Sequence, residues 1–259
     1  MRKKLFYFLS FIAIYGCKIE STKELPTGVY KMTGSLIYDS TVENTISSPD
    51  QFKIYNLSHY FYVYIEKDSS AGFGVGSYSM KNDTLIEHNI FNSISLDNSQ
   101  DRRLIIKGNE KGYTDEVPEL NTGGLKNKLK QSYDSVSVKG QSSLLDGLWE
   151  RGRCMKINGT DTLFYYFKEY LVFNAGYYMQ ASRVEVDSIA NTYKNNVDFG
   201  SFKWEKNMLS KKSEFSNINK VGSVESVRCS LTQKDSVLLQ ITIDPTSGST
   251  NYITYKRVR

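Results

Sequence analysis

The 259-residue chain has few of the residue types that announce chemistry: three cysteines, two histidines, two tryptophans and four prolines. Three cysteines cannot build a zinc ribbon or a disulfide knot. With only His59 and His88, a hydrolase triad would need one of them between a carboxylate and a Ser or Cys nucleophile. No G-x-S-x-G elbow is present. Glu87 and His88 are adjacent on a strand-like stretch and so project to opposite faces. AGFGVGSY, at 71–78, spaces Gly72, Gly74 and Gly76 two apart and lacks the lysine and helix of a phosphate loop; on a strand it leaves one face bare. These absences argue against a catalytic residue, a metal site or a cofactor. Charged residues at 24% and hydrophobic ones at 39% exclude a disordered chain and a polytopic helical membrane protein. Nineteen tyrosines and thirteen phenylalanines, with so little proline, favour strands.

The first 17 residues read MRKKLFYFLSFIAIYGC. Arg2, Lys3 and Lys4 precede an apolar run at 5–15 that is the length of a secretory leader and too short to span a bilayer, which takes ~20 residues. Ile14-Tyr15-Gly16-Cys17 resembles the lipobox of bacterial lipoproteins. That resemblance implies cleavage before Cys17, acylation of Cys17 with palmitate-type chains, and an address in the cell envelope, at the outer membrane. The membrane is then a partner through the anchor, and 18–26 is a short tether. Without the leader, 30 basic side chains face 28 acidic ones, so the apparent basicity belongs to the leader. No nucleic-acid partner is expected.

From residue 28 onward, short Tyr/Val/Ile/Phe runs alternate with Asn, Asp, Gly and Ser. Helical periodicity is scarce. The chain also repeats itself: 53–63 aligns on 171–181, 76–93 on 200–217, and 27–30 on 146–149, in the same order and at nearly one offset. This predicts an all-β protein of two tandem antiparallel β-domains. The leader occupies 1–17, the first domain 18–140 and the second 141–259, with the join between Asp134 and Leu145.

Alternation along 59–65 puts Phe61 and Val63 on one face and Tyr60, Tyr62 and Tyr64 on the other. Phe61/Met179 and Val63/Ala181 stay apolar in both copies, so that face is expected inside and the tyrosines outside. Tyr78 and Met80 match Phe202 and Trp204 and are expected inside as well. These six positions, Phe61, Tyr78, Met80, Met179, Phe202 and Trp204, either fill a core or face a ligand.

Gly147-Leu148-Trp149 on a first strand, a meander of short strands and a late Tyr255-Lys256-Arg257 resemble the lipocalin family. The resemblance implies up-and-down, calycin-type barrels, with Trp149 closing the base of the second and Arg257 packed across it. The first copy has Gly28-Val29-Tyr30 and no closing Arg. The pattern is closer still to lipocalin-like domains of Gram-negative envelope lipoproteins. It implies binding of a small apolar or amphipathic ligand inside the barrels. The alternative is a non-enzymatic structural or assembly lipoprotein with filled barrels, meeting protein or glycan partners through Tyr-rich faces; no particular protein partner is identifiable. A membrane-spanning barrel is disfavoured by charge-rich strands such as 200–214, with four lysines and two glutamates. Cys154 and Cys229 both fall in the second copy, where an oxidising compartment permits either a disulfide or two separate buried thiols.

Overall fold

A computed structural model describes residues 27–38, 43–45, 50–94, 101–108, 111–122, 125–136, 142–187, 192–232 and 234–259. The leader, Cys17, the tether and most of the join lie outside the described residues. The described chain is all strand and connection. The first half comprises β1 (Gly28–Tyr38), β2 (Glu43–Thr45), β3 (Asp50–Tyr55), β4 (His59–Ile65) and β5 (Ala71–Lys81). It continues with β6 (Thr84–Asn92), β7 (Arg102–Gly108), β8 (Gly112–Thr122) and β9 (Leu125–Ser135). The second half repeats this plan: β10 (Gly147–Asn158), β11 (Asp161–Tyr165), β12 (Glu169–Asn174), β13 (Tyr177–Asp187) and β14 (Thr192–Glu205). It ends with β15 (Met208–Ser216), β16 (Val224–Thr232), β17 (Val237–Ile243) and β18 (Thr250–Arg257).

Each half closes on itself. β1 pairs with β3 along its first residues and with β9 along its other edge, so β1 and β3–β9 form an eight-stranded up-and-down barrel. The short β2 covers the part of β1 that β3 leaves open. β10 does the same with β11, β12 and β18. The protein is therefore two closed antiparallel barrels in tandem, an arrangement that removes free sheet edges. Matching bulges support the repeat: the register shifts at Val75/Gly76 and again at Phe199/Gly200. A Cβ at Gly76 would collide with the His88 carbonyl, and one at Gly200 with that of Lys212. Only glycine fits both positions.

The two barrels share one core. Phe61, Val63, Phe73 and Val75 of β4 and β5 pack with Met179, Ala181, Val197 and Phe199 of β13 and β14. The contact is reciprocal. Phe91 meets Tyr170 at 5.7 Å, and Phe215 meets Phe52 at 5.2 Å, the same two repeat positions with the copies exchanged. Asn195 donates to the carbonyl of Ala71, its own repeat equivalent, at 3.0 Å. This is the self-complementary pattern of a two-fold interface, built within one chain.

That shared core corrects the expected faces. Phe61 and Met179 do not line barrel interiors; they point outward into the contact between barrels. Tyr60, Tyr62 and Tyr64 point inward. They stand opposite Gly76, Gly74 and Gly72 in the ladder, and their rings stack at 6.3 and 6.4 Å, 13° and 18° from parallel. The bare glycine face gives the rings room, since a Cβ at Gly72 or Gly74 would enter the facing tyrosine ring. The most apolar face is the one the other barrel covers.

Candidate functional site

The interior of the first barrel is occupied by charge. Lys53 on β3 is fully buried, with Nζ 3.3 Å from Glu87 Oε1 on β6 and 3.6 Å from Asp115 Oδ2 on β8. Tyr133, Tyr55 and Tyr62 surround the ammonium, their ring centres 5.1, 5.5 and 5.8 Å away. Tyr55 donates to Glu87 at 2.7 Å. Arg102 stands next to Glu87 in the ladder and donates to Gln131 at 3.4 Å. Burial raises the Asp115 carboxyl above its ordinary range, with Lys53 and Arg102 opposing the shift. Two cations thus face two carboxylates inside a tyrosine wall. Tyr78 and Met80 pack against this interior, partly buried.

The second barrel is wired differently. A chain of polar contacts runs from its exposed rim into its interior. Glu225 Oε2 lies 2.8 Å from Lys211 Nζ, which donates to Gln180 at 3.1 Å. Gln180 then donates to Glu169 at 3.0 Å. Glu169 also accepts from Arg151 at 3.2 Å and from Tyr255 at 2.5 Å. Beside it, Asp198 accepts from Tyr178 and Ser213, both at 2.7 Å, and from Asn219 at 3.0 Å. A hollow of about 220 Å³ lies under the β15–β16 connection, lined by Asp198, Lys211, Ser213, Asn219 and Glu225. Phe202 and Trp204 belong to the apolar part of this barrel, away from the hollow's lining.

Trp149 and Arg257 meet at the opposite end. They are ladder neighbours, and the guanidinium lies 4.3 Å from the indole centre. Arg257 donates to the carbonyls of Asp146 and, at 2.6 Å, of Leu144; Trp149 Nε1 donates to Leu145 at 2.7 Å. Gly147 has φ +136°, where a side chain is strained, and a Cβ there would strike Arg257. The Gly-x-Trp spacing thus has a local cause. In the first barrel Tyr30 replaces Trp149, and Ser135 stands opposite it where Arg257 would be.

Cys154 and Cys229 are both buried free thiols, so the disulfide alternative is set aside. Cys154 is on β10 and Cys229 on β16, with β17 and β18 between them in the sheet. Arg151 Nε donates to the Cys154 sulfur at 2.8 Å, and burial pushes the Cys229 thiol up to about 11.

One trio was not foreseen. On the outer wall of the first barrel, His88 lies 2.9 Å from Asp101 and 3.4 Å from Ser79 Oγ. Its sequence signal is weak, because Asp101 sits in a polar connection thirteen residues from His88. All three side chains are open to water. Such an arrangement lacks the dry setting in which aligned dipoles stabilise a transition state. His59 instead contacts Ser58 at 2.8 Å, and burial lowers its pKa.

No family model matches this chain, and no curated protein does. A solved structure is similar to it: a protein of unknown function from the DUF3598 family of Nostoc punctiforme, at 10% identity. The match covers 90% of this chain and 97% of that one at a TM-score of 0.29, too low to carry an argument.

Proposed function

We propose that this chain is a lipid-anchored envelope protein whose two lipocalin-like barrels form a rigid, non-enzymatic body that meets a partner through its surface. The single observation behind this reading is the filling of the barrel interiors. Lys53, Arg102, Glu87 and Asp115 with their tyrosines occupy one barrel. The Arg151–Glu169–Gln180–Lys211 chain crosses the other. Pockets for apolar small molecules run to ~300–1,000 Å³ with mostly hydrophobic walls. The hollow here is about 220 Å³, and charged and hydroxyl side chains dominate its lining. An apolar ligand inside the barrels is therefore the second reading, and it would require Lys211 or Asp198 to give up partners. The exposed setting of Ser79, His88 and Asp101 favours a body without catalysis.

Native mass spectrometry of the acylated chain, extracted from its own envelope, tests this reading. The expected result is the mass of the acylated chain alone. A stoichiometric co-purified lipid or other small molecule would overturn it in favour of ligand carriage. The anchor has its own test: Cys17→Ser should abolish palmitate incorporation.

A further inference from the structure

Among the described residues twelve large apolar side chains are exposed, and eight of them sit at one end of the second barrel. This is the end away from Trp149, where β10, β13, β15 and β17 finish and β12, β14, β16 and β18 begin. Leu163, Phe164 and Tyr166 come from β11 and the residue after it; Ile218, Val221 and Val224 come from the β15–β16 connection and the start of β16. Val186 and Ile243 complete the ring at the ends of β13 and β17. Single exposed apolar residues are ordinary, but a concentration of them on one rim marks an interaction site.

We propose that this rim is a membrane-docking surface that seats the second barrel on the bilayer to which the chain is tethered. The proposal rests on the anchored reading above. Three features favour a bilayer as the occupant. The apolar residues come from separate strand ends and connections around a barrel mouth, so they form a ring of points suited to shallow insertion. A cation lies against an aromatic there: Arg153, itself exposed, is 3.9 Å from the ring centre of the exposed Phe164. Such a pair has an apolar body and a charged tip, which suits the headgroup boundary. Finally, the tether at 18–26 can extend only ~30 Å before it joins the start of β1, so it holds both barrels at a high effective concentration over the lipid. Individually weak insertions then suffice. Asp161, Glu185, Glu225 and Asp244 share this end with Arg153, Lys156, Lys194 and Lys220, so net charge does not drive the contact. Docking should therefore persist on phosphatidylcholine alone and change little with salt.

The test uses the full acylated chain in phosphatidylcholine vesicles containing brominated phosphatidylcholine, which quenches nearby tryptophan. Reporters are Val221→Trp and Tyr166→Trp, with Met208→Trp at the other end of the barrel as control. The native Trp149 and Trp204 also lie towards that other end, so the unmodified chain supplies the background. Emission added by the two rim reporters should be quenched by about half or more and blue-shifted, and that of Met208→Trp should not. Adding Val221→Asp should release the Tyr166→Trp emission without altering the circular dichroism melt. Quenching of the rim reporters no greater than that of Met208→Trp overturns the proposal, including when a blue shift without quenching points to a protein or a second copy on the rim. Flotation of the chain with the vesicles reports the anchor separately. If acylation fails, residues 18–259 held by an N-terminal polyhistidine on a chelating lipid still decide the docking question.

Discussion

Lys53→Met isolates the contribution of the buried charge in the first barrel. Methionine keeps most of the lysine stem, so the substitution removes charge with little change in volume. It leaves Glu87 and Asp115, both at most 1% exposed, with Arg102 as their remaining interior cation. Glu87 Oε2 and both Asp115 oxygens have no hydrogen-bond partner, so the ammonium, 3.3 Å from Glu87 Oε1 and 3.6 Å from Asp115 Oδ2, is the main compensation of the two carboxylates. Removing one member of a buried ion pair costs ~3–5 kcal/mol, because the other is left uncompensated. The expected loss for Lys53→Met in urea unfolding at neutral pH lies in that range. Neutralising the carboxylates as well, in Lys53→Met/Glu87→Gln/Asp115→Asn, should recover most of it. Acid should also narrow the difference. Without Lys53 the Asp115 carboxyl, already raised by burial, rises further, so the folded state binds more protons than the unfolded one and stability falls as pH rises through that window. A single substitution costing under ~1 kcal/mol, or a triple less stable than the single, would refute a compensated interior cluster.

Trp149→Ala should cost ~3–5 kcal/mol in the same assay, as for a large aromatic truncated in a core; a neutral result would mean that Trp149 does not close the barrel. Gly74→Ala should destabilise by driving a Cβ into the Tyr62 ring, and Tyr62→Leu in the same chain should recover part of the loss, a non-additivity that a double-mutant cycle measures. Burial lowers the His59 pKa, so the unfolded state binds more protons and stability should fall as pH drops through and below the ordinary value of 6.5. His59→Gln should flatten that slope in urea unfolding followed across pH, and an unchanged slope would remove His59 as its source. Separating the halves should expose Leu148, Tyr170, Val172 and Phe199 on the second barrel, so residues 142–259 should self-associate at micromolar concentration by sedimentation, with a monodisperse monomer as the contrary result.

The strand-rich tandem plan was legible because it rests on local signals: runs of β-branched and aromatic residues, turn residues between them, and repeats whose glycines share one backbone cause. Gly76 and Gly200 match in sequence because a carbonyl approaches both. The Trp149–Arg257 contact was legible through a resemblance, and the left-handed Gly147 gives it a physical basis. Face assignment was not legible. Alternation divides a strand into two faces but does not say which of two bulky faces a second barrel covers. A signal did exist: the bare glycines of 72–76 need a partner, and Tyr60, Tyr62 and Tyr64 were the large side chains spaced to supply it. The interior charges were harder still. Lys53, Glu87 and Asp115 are 34 and 28 residues apart in sequence, and each reads alone as an ordinary outward-facing charge on a strand.

The two interiors keep one rule with different residues. Glu87 and Arg102 are ladder neighbours on β6 and β7, and the corresponding neighbours on β15 and β16 are Lys211 and Glu225, the same pair with its signs reversed. A reversal at one pair does not by itself disturb neutrality, but it changes what the surroundings must supply. Lys53 and Asp115, which complete the first cluster, have Leu171 and Gln240 at their repeat positions. The second barrel instead places Arg151 against Glu169, where the first has Met32 and Gln51. Each barrel thus ends with two interior cations set against two carboxylates, although Glu225 in the second is exposed at the barrel's mouth. Asp198 is a further carboxylate in the second barrel, held by the neutral donors Tyr178, Ser213 and Asn219. Buried charges are costly unless paired, so substitutions here could accumulate only in compensating sets. The outward faces of β4, β5, β13 and β14 that meet across the contact had no such freedom, because the residues there pack against the other copy. This explains why Phe61/Met179 and Val63/Ala181 stay apolar across the repeat while the tyrosine face beside them becomes Tyr178, Gln180 and Ser182.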